Sequence, residues 1–273
     1  MATEPLGDAR ARHREHALER GINPRDVDLL LSDLLGKPIT FLFANGELPF
    51  DDAQLEALLA RRFDGEPLQY IRGKTEFYTR EFLVDTRVLI PRPETELVVE
   101  TALERAPKGG RVLDIGTGSG CIAISIERER PDLRVLSVDR SVEALAVANL
   151  NRARLGSRVQ LAASDLLTGV RGDFDVIVSN PPYVPLAEYE ELADEVRVHE
   201  PRMALTPGPK GTEIIARILD EASAKLAIIE VGYGQEAAIR RLAKSKQWDV
   251  DAFLPDLAGI PRVVVLSPHG RQR

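Results

Sequence analysis

Apolar positions along the chain keep helical spacing at first and then switch to short, nearly continuous runs. In residues 1–75, Asp8 is placed to cap a helix running through Ala17 and Leu18 to Gly21. Asn23-Pro24 is a cap followed by a first-turn proline, and Val27, Leu30, Leu31 and Leu34 share one face until Gly36. Asp51 or Asp52 starts a third helix with Leu55, Leu58, Leu59 and Phe63 on one face. None of this carries reactive chemistry. A small helical domain that docks a partner is expected.

Gly65, Pro67 and Gly73 then punctuate the chain, and Phe77, Tyr78, Phe82, Val84, Val88 and Ile90 alternate with polar residues. This predicts a β-hairpin connector over 76–90. Pro91-Arg92-Pro93-Glu94-Thr95-Glu96 leads into a helix through Leu97, Val98 and Leu103, with Thr95 or Glu94 suited to its N-terminus. From Arg111 strands and helices alternate. Strands are expected at Val112–Ile115, Val135–Asp139, Val159–Leu161, Phe174–Ser179 and Ala227–Val231, with an antiparallel pair at Val250–Phe253 and Val263–Leu266. Residues 91–273 therefore form an α/β domain whose seven-stranded sheet is mostly parallel and covered by helices on both faces.

Composition narrows the class. At 273 residues, 44% hydrophobic and 29% charged, the chain is an ordinary globular protein. A net charge of −7 gives no support for nucleic-acid binding, and Arg10, Arg12, Arg14 and Arg20 read as a solvated helix face. Cys121 is the only cysteine, so no internal disulfide or cysteine-rich zinc site can form, and it reads as a small packing residue. No metal site is expected. No apolar run of about 18 residues is present, and no secretory signal opens the chain, so no membrane association and a cytoplasmic location are expected.

Four expected strand ends carry suggestive residues. Gly116-Thr117-Gly118-Ser119-Gly120 follows the first, where glycines let a ligand approach the backbone at a helix N-terminus. Asp139 ends the second, about 20 residues on, where a carboxylate can bind ribose hydroxyls. Asp165 ends the third and can accept from an adenine amine or merely make a turn. Asn180-Pro181-Pro182-Tyr183 ends the fourth. Two prolines remove main-chain donors there, leaving carbonyls and the Asn180 amide. Such a loop suits a planar NH2 group, whose two hydrogens need two acceptors, with Tyr183 against its flat face. The glycines run G-x-G-x-G rather than G-x-G-x-x-G, and hydride transfer has no use for the Asn-Pro-Pro-Tyr loop. Methyl transfer from S-adenosylmethionine to nitrogen is the favoured reading.

Five stretches together resemble the HemK/PrmC family, which methylates the amide nitrogen of the glutamine in the Gly-Gly-Gln motif of peptide chain release factors. They are Glu66-Pro67-Leu68-Gln69-Tyr70-Ile71 with Gly73, Leu89-Ile90-Pro91-Arg92-Pro93-Glu94-Thr95-Glu96, Leu113 through Ile124, Ser179 through Val184, and His199-Glu200-Pro201-Arg202. The resemblance implies a class I, Rossmann-like methyltransferase domain behind a helical domain that engages a class I release factor. It implies that Gly116 to Gly120 line the methionine part of S-adenosylmethionine and Asp139 binds its ribose. Asp165 and Leu166 would flank the adenine, and Asn180 would touch both cofactor and substrate. Asn180, Pro181, Pro182 and Tyr183 would hold the glutamine, with Asn180, Pro181 and Tyr183 in the catalytic role. A monomer is expected, with no direct nucleic-acid contact. Arg92 and Glu94 read as organisers of the rim, and His199 as a structural hydrogen-bonder rather than a base. Residues 207–212 and 221–226 depart from the family wording and read as loop variation outside the reacting centre. The alternatives are an amino-methyltransferase acting on adenine or guanine in nucleic acid, and a cofactor-binding docking module without catalysis.

Overall fold

The computed structural model describes residues 3–270, which fall into two compact units. The first takes the described chain up to Gly73 together with Asp194–His199; the second takes Lys74–Ala193 and the chain from Glu200 onward. No helix among the described residues is long and apolar enough to cross a membrane.

In the first unit, helices Leu6–Glu19, Arg25–Leu35 and Ala53–Phe63 bury Leu6, Ala17, Val27, Leu30, Leu31, Leu55 and Leu59 in one core. Pro24 takes the N-cap of the second, one residue after the Asn23 expected there, though the Asn23 Oδ1 still accepts from the Arg25 N–H at 3.0 Å; Gly36 ends the helix at φ 61. Asp8 is not a cap. Pro5 takes that position and Asp8 sits in the first turn, where its charge still suits the helix dipole. Helices Ile39–Ala44 and Leu68–Arg72 escaped the periodicity because each is too short to show a repeat. The arginine cluster is no open cationic face. Arg10 pairs with Asp28 at 2.7 Å, joined there by Arg14, while Arg12 pairs with Glu4 and, at 2.5 Å, with Asp52. Arg20 lies over the Phe63 ring at 5.1 Å.

The second unit opens with the hairpin Lys74–Phe77 and Arg80–Leu83, then a seven-stranded sheet. In chain order its strands are Arg111–Ile115, Arg134–Asp139, Gln160–Ala163, Val176–Ser179, Ala227–Glu230, Trp248–Pro255 and Pro261–Pro268. Across the sheet they run sixth, seventh, fifth, fourth, first, second, third. The first five are mutually parallel, and the seventh pairs antiparallel with both its neighbours. Alternation sends Val112, Val176, Val178 and Ile228 to one face and Leu113, Ile115, Ile177 and Ile229 to the other. Helices Glu96–Arg105 and Cys121–Glu129 cover the former face; Glu213–Glu221 and Glu236–Ser245 cover the latter. Strand order reverses between the first and fourth strands, so their carboxyl ends flank the crevice in which such sheets bind ligands.

One buried side chain ties the hairpin to the first strand's loop. Asn151, on helix Val142–Arg154, donates to the Leu83 and Ser119 carbonyls, both at 2.9 Å, and accepts from the Leu83 N–H at 2.7 Å. Leucine in its place would strand three backbone groups. Asn151→Leu should lower unfolding stability by about 2–4 kcal/mol, read from the denaturant midpoint at unchanged slope.

Candidate active site

The ends of the first four sheet strands surround one cavity, lined by Gly116, Thr117, Gly118 and Ser119, by Asp139 to Ser141, by Ser164 to Leu166, and by Ser179 to Pro182. Gly116 and Gly118 hold φ of 76 and 54, and a Cβ on either would meet no atom within 4 Å, so both leave backbone bare toward a ligand. Gly120 has a packing reason instead: a Cβ there would stand 2.9 Å from the Ile124 Cδ1.

Asp139 fastens this loop to the second strand. Its Oδ2 accepts from the Gly118 N–H and its Oδ1 from the Ser141 N–H, each at 2.9 Å. Each oxygen keeps a lone pair, which is what a pair of ribose hydroxyls requires. Ser141 itself caps the next helix, accepting from the Ala144 N–H. Beneath the glycines lies a buried polar group. Ser137 donates to Asp114 Oδ2 at 2.7 Å, the buried Thr117 hydroxyl lies against the same carboxyl, and the buried Ser119 hydroxyl lies against the Cys121 thiol. Burial drives the Asp114 carboxyl up to about 6, against the hydrogen bonds from Ser137 and Thr117. Bare glycine backbone with the Thr117 and Ser119 side chains beside it fits the charged amino-acid end of a ligand, and Asp139 fits its sugar. The donor set therefore suits an adenosyl amino acid.

Asp165 also lines the cavity, but Arg217 holds its two oxygens at 3.2 and 3.1 Å and keeps its carboxyl below the usual range. Leu166 also lines the cavity, is buried at a left-handed φ of 52 and belongs to the core cluster of Val138, Phe174 and Ile177.

On the fourth strand's side, Asn180, Pro181 and Pro182 line the cavity. Asn180 Nδ2 donates to Thr95 Oγ1 at 2.9 Å. Neither the Asn180 Oδ1 nor the Pro181 carbonyl accepts a hydrogen bond among the described residues. Tyr183 is not among the lining residues. Its hydroxyl donates to Glu230 Oε1 at 3.3 Å, and its carbonyl accepts from Gln235 Nε2 at 2.9 Å. Burial raises both partners: the Tyr183 phenol above its usual range and the Glu230 carboxyl up to about 7.

Sequence reasoning missed Thr95 and Glu230. Thr95 does stand at the N-cap of helix Glu96–Arg105, but its hydroxyl makes no cap bond; it lines the cavity and donates to Glu230 Oε2 at 2.6 Å. Glu230 stood in plain view as a charged residue inside an apolar run. Residues 207–212 are not remote either. A Cβ on Gly211 would fall 2.4 Å from the Tyr183 carbonyl, so only glycine lets this segment back the acceptor loop. Glu200 is structural: it accepts from the Ile90 N–H at 3.1 Å and from Arg92, pinning the segment before Thr95. His199 belongs to the helical unit, against Gly65, and does not line the cavity. Burial pushes the Cys121 thiol up to about 12, which suits a packing residue.

Comparison with known proteins identifies the family. Residues 93–227 match the Methyltransferase small domain, and residues 6–73 match the PrmC N-terminal domain. A "Release factor glutamine methyltransferase" of Koribacter versatilis is 43% identical, over 89% of this chain and 91% of that protein. One of Geobacter sulfurreducens is 42% identical, over 92% of each. A methyltransferase structure from Pyrococcus furiosus shares the fold, at a TM-score of 0.54 and 18% identity, over 81% of this chain and all of that one. With relatives this similar over nearly their whole length, the chain belongs to the release factor glutamine methyltransferase family.

Proposed function

We propose that the chain transfers a methyl group from S-adenosylmethionine to the side-chain amide nitrogen of the glutamine in the Gly-Gly-Gln loop of class I peptide chain release factors. The observation that carries this is the pair of acceptors, Asn180 Oδ1 and the Pro181 carbonyl, left free at the fourth strand's end beside the glycine cradle. The loop from Gly116 to Gly120 would hold the amino-acid end of the cofactor, Asp139 its ribose, and Asp165 with Leu166 its adenine. When bound, that cofactor supplies an electrophilic methyl group on a sulfonium.

An amide nitrogen is a weak nucleophile because its lone pair is delocalised into the carbonyl. Asn180 Oδ1 and the Pro181 carbonyl would take one hydrogen each from the NH2, fixing where the nitrogen points. As positive charge grows on that nitrogen, the same two oxygens stabilise it without reorganising. Bringing the nitrogen within ~3–3.5 Å of the carbon it attacks contributes further. No strong base is required beforehand, since the proton leaves a much more acidic nitrogen after transfer. Pro182 would wall the glutamine, with Tyr183 bracing the loop through Glu230. The helical unit would engage the release factor.

Acceptors alone serve an adenine or guanine amine equally well. The net charge of −7 and the pairing of Arg10, Arg12 and Arg14 with carboxylates favour a protein substrate. Incubation with labelled cofactor and release factor, DNA or RNA should put label in release factor alone. Label in a nucleic acid, or cofactor binding with no label anywhere, would contradict the proposal.

A further inference from the structure

Behind the half-buried Asn180 of the acceptor loop two buried side chains stand in line. Asn180 Nδ2 lies 2.9 Å from Thr95 Oγ1, and Thr95 Oγ1 lies 2.6 Å from Glu230 Oε2. Thr95 and Glu230 are 2% and 1% exposed, so no solvent substitutes for these contacts. Their chemistry gives the line a direction. An ionised carboxylate only accepts, so the single hydrogen of the Thr95 hydroxyl must point at Glu230. The side of Oγ1 facing Asn180 then offers lone pairs only. Just one end of the Asn180 amide can meet it, the NH2, which leaves Oδ1 for the cavity. Tyr183, donating to Glu230 Oε1 at 3.3 Å, occupies the other carboxylate oxygen.

We propose that Glu230, acting through the Thr95 hydroxyl, sets the orientation of the Asn180 amide so that its oxygen, and not its nitrogen, meets the NH2 of the substrate. Both are positioning residues for the transfer, and neither touches the reacting atoms. This rests on the role assigned to Asn180 above.

The lock holds only while Glu230 is ionised. Burial lifts its carboxyl to about 7, opposed by the hydrogen bonds from Thr95 and Tyr183 and by the field of Arg262. The charged or titratable groups that act on it are Tyr183 on the acceptor loop, Arg262 on the last strand, Glu94 on the turn before Thr95, and Cys121 on the helix after the glycines; Arg92 acts on Tyr183. Below pH 7 the carboxylate takes a proton and can donate to Thr95. The Thr95 hydrogen is then free to turn toward Asn180, and the amide loses its preferred end. Turnover therefore falls on the acid side.

The test uses the full chain with S-adenosylmethionine and release factor, and measures kcat, KM and cofactor affinity from pH 5.5 to 8.5. Thr95→Val should lower kcat by about 10- to 100-fold with cofactor affinity within about twofold of wild type, and Thr95→Ser should restore most of the loss. In Glu230→Gln, which cannot ionise, the acid limb near pH 7 should vanish. Calorimetry of cofactor binding reports folding of each variant. Wild-type kcat in Thr95→Val, no rescue by serine, or an unchanged acid limb in Glu230→Gln would overturn the proposal. Asn180→Ala separates the two layers. If it turns over normally, the role of Asn180 falls and the relay with it. If it is inactive while Thr95→Val is not, only the relay falls.

Discussion

Asn180→Ala is expected to slow methyl transfer by about 10²–10³-fold while changing cofactor affinity far less. The magnitude follows from removing one of two preorganised groups aimed at charge that develops only in the transition state. The Pro181 carbonyl survives the substitution, so some catalysis persists. Cofactor affinity is spared because the cradle of Gly116 to Ser119 and Asp139 belongs to the first and second strands. Single-turnover rates with release factor, beside calorimetric titration of the cofactor, measure both halves of the expectation. A variant that kept its rate but lost affinity would move Asn180 from the acceptor side to the cofactor side.

The second large effect is expected at Asp139. Its carboxylate accepts from the Gly118 and Ser141 N–H groups at 2.9 Å each, so it shapes the cradle as well as facing the cavity. Asp139→Ala removes two charge-assisted hydrogen bonds together with the ribose acceptor. Cofactor Kd should rise about 100-fold or more, since such bonds contribute roughly 1.5–3 kcal/mol and 1.4 kcal/mol is a factor of ten. Asparagine should rescue little: its NH2 would face one of two N–H donors. Turnover at saturating cofactor should recover a large part of the wild-type rate, in contrast to Asn180→Ala. Equal losses at saturation would mean that Asp139 acts on the methyl transfer itself.

The contrast between these residues explains what the sequence disclosed. The central strands were legible because Val176-Ile177-Val178 and Ala227-Ile228-Ile229 are buried on both faces and read as continuous apolar runs. The glycines and Asn180-Pro181-Pro182-Tyr183 were legible because their backbone restrictions are local. Thr95 and Glu230 were not, since their partnership spans 135 positions and exists only after the sheet assembles. Asn151 hid for the same reason, looking like one more polar position on a helix while reaching Leu83 and Ser119. Adjacency misled in the other direction. His199 and Glu200 are neighbours in sequence, yet one belongs to the helical unit and the other braces the segment before Thr95. Tyr183 shows how a motif can name a residue without its orientation, for its hydroxyl turns to Glu230.

Mass spectrometry of release factor incubated with the protein and S-adenosylmethionine tests the central claim most directly. The account predicts a mass gain of one methyl group on the peptide that carries Gly-Gly-Gln, with fragment ions placing it on the glutamine side chain, and its loss with Asn180→Ala. A methyl group on any other residue, or an unmodified glutamine after complete turnover of the cofactor, would contradict it.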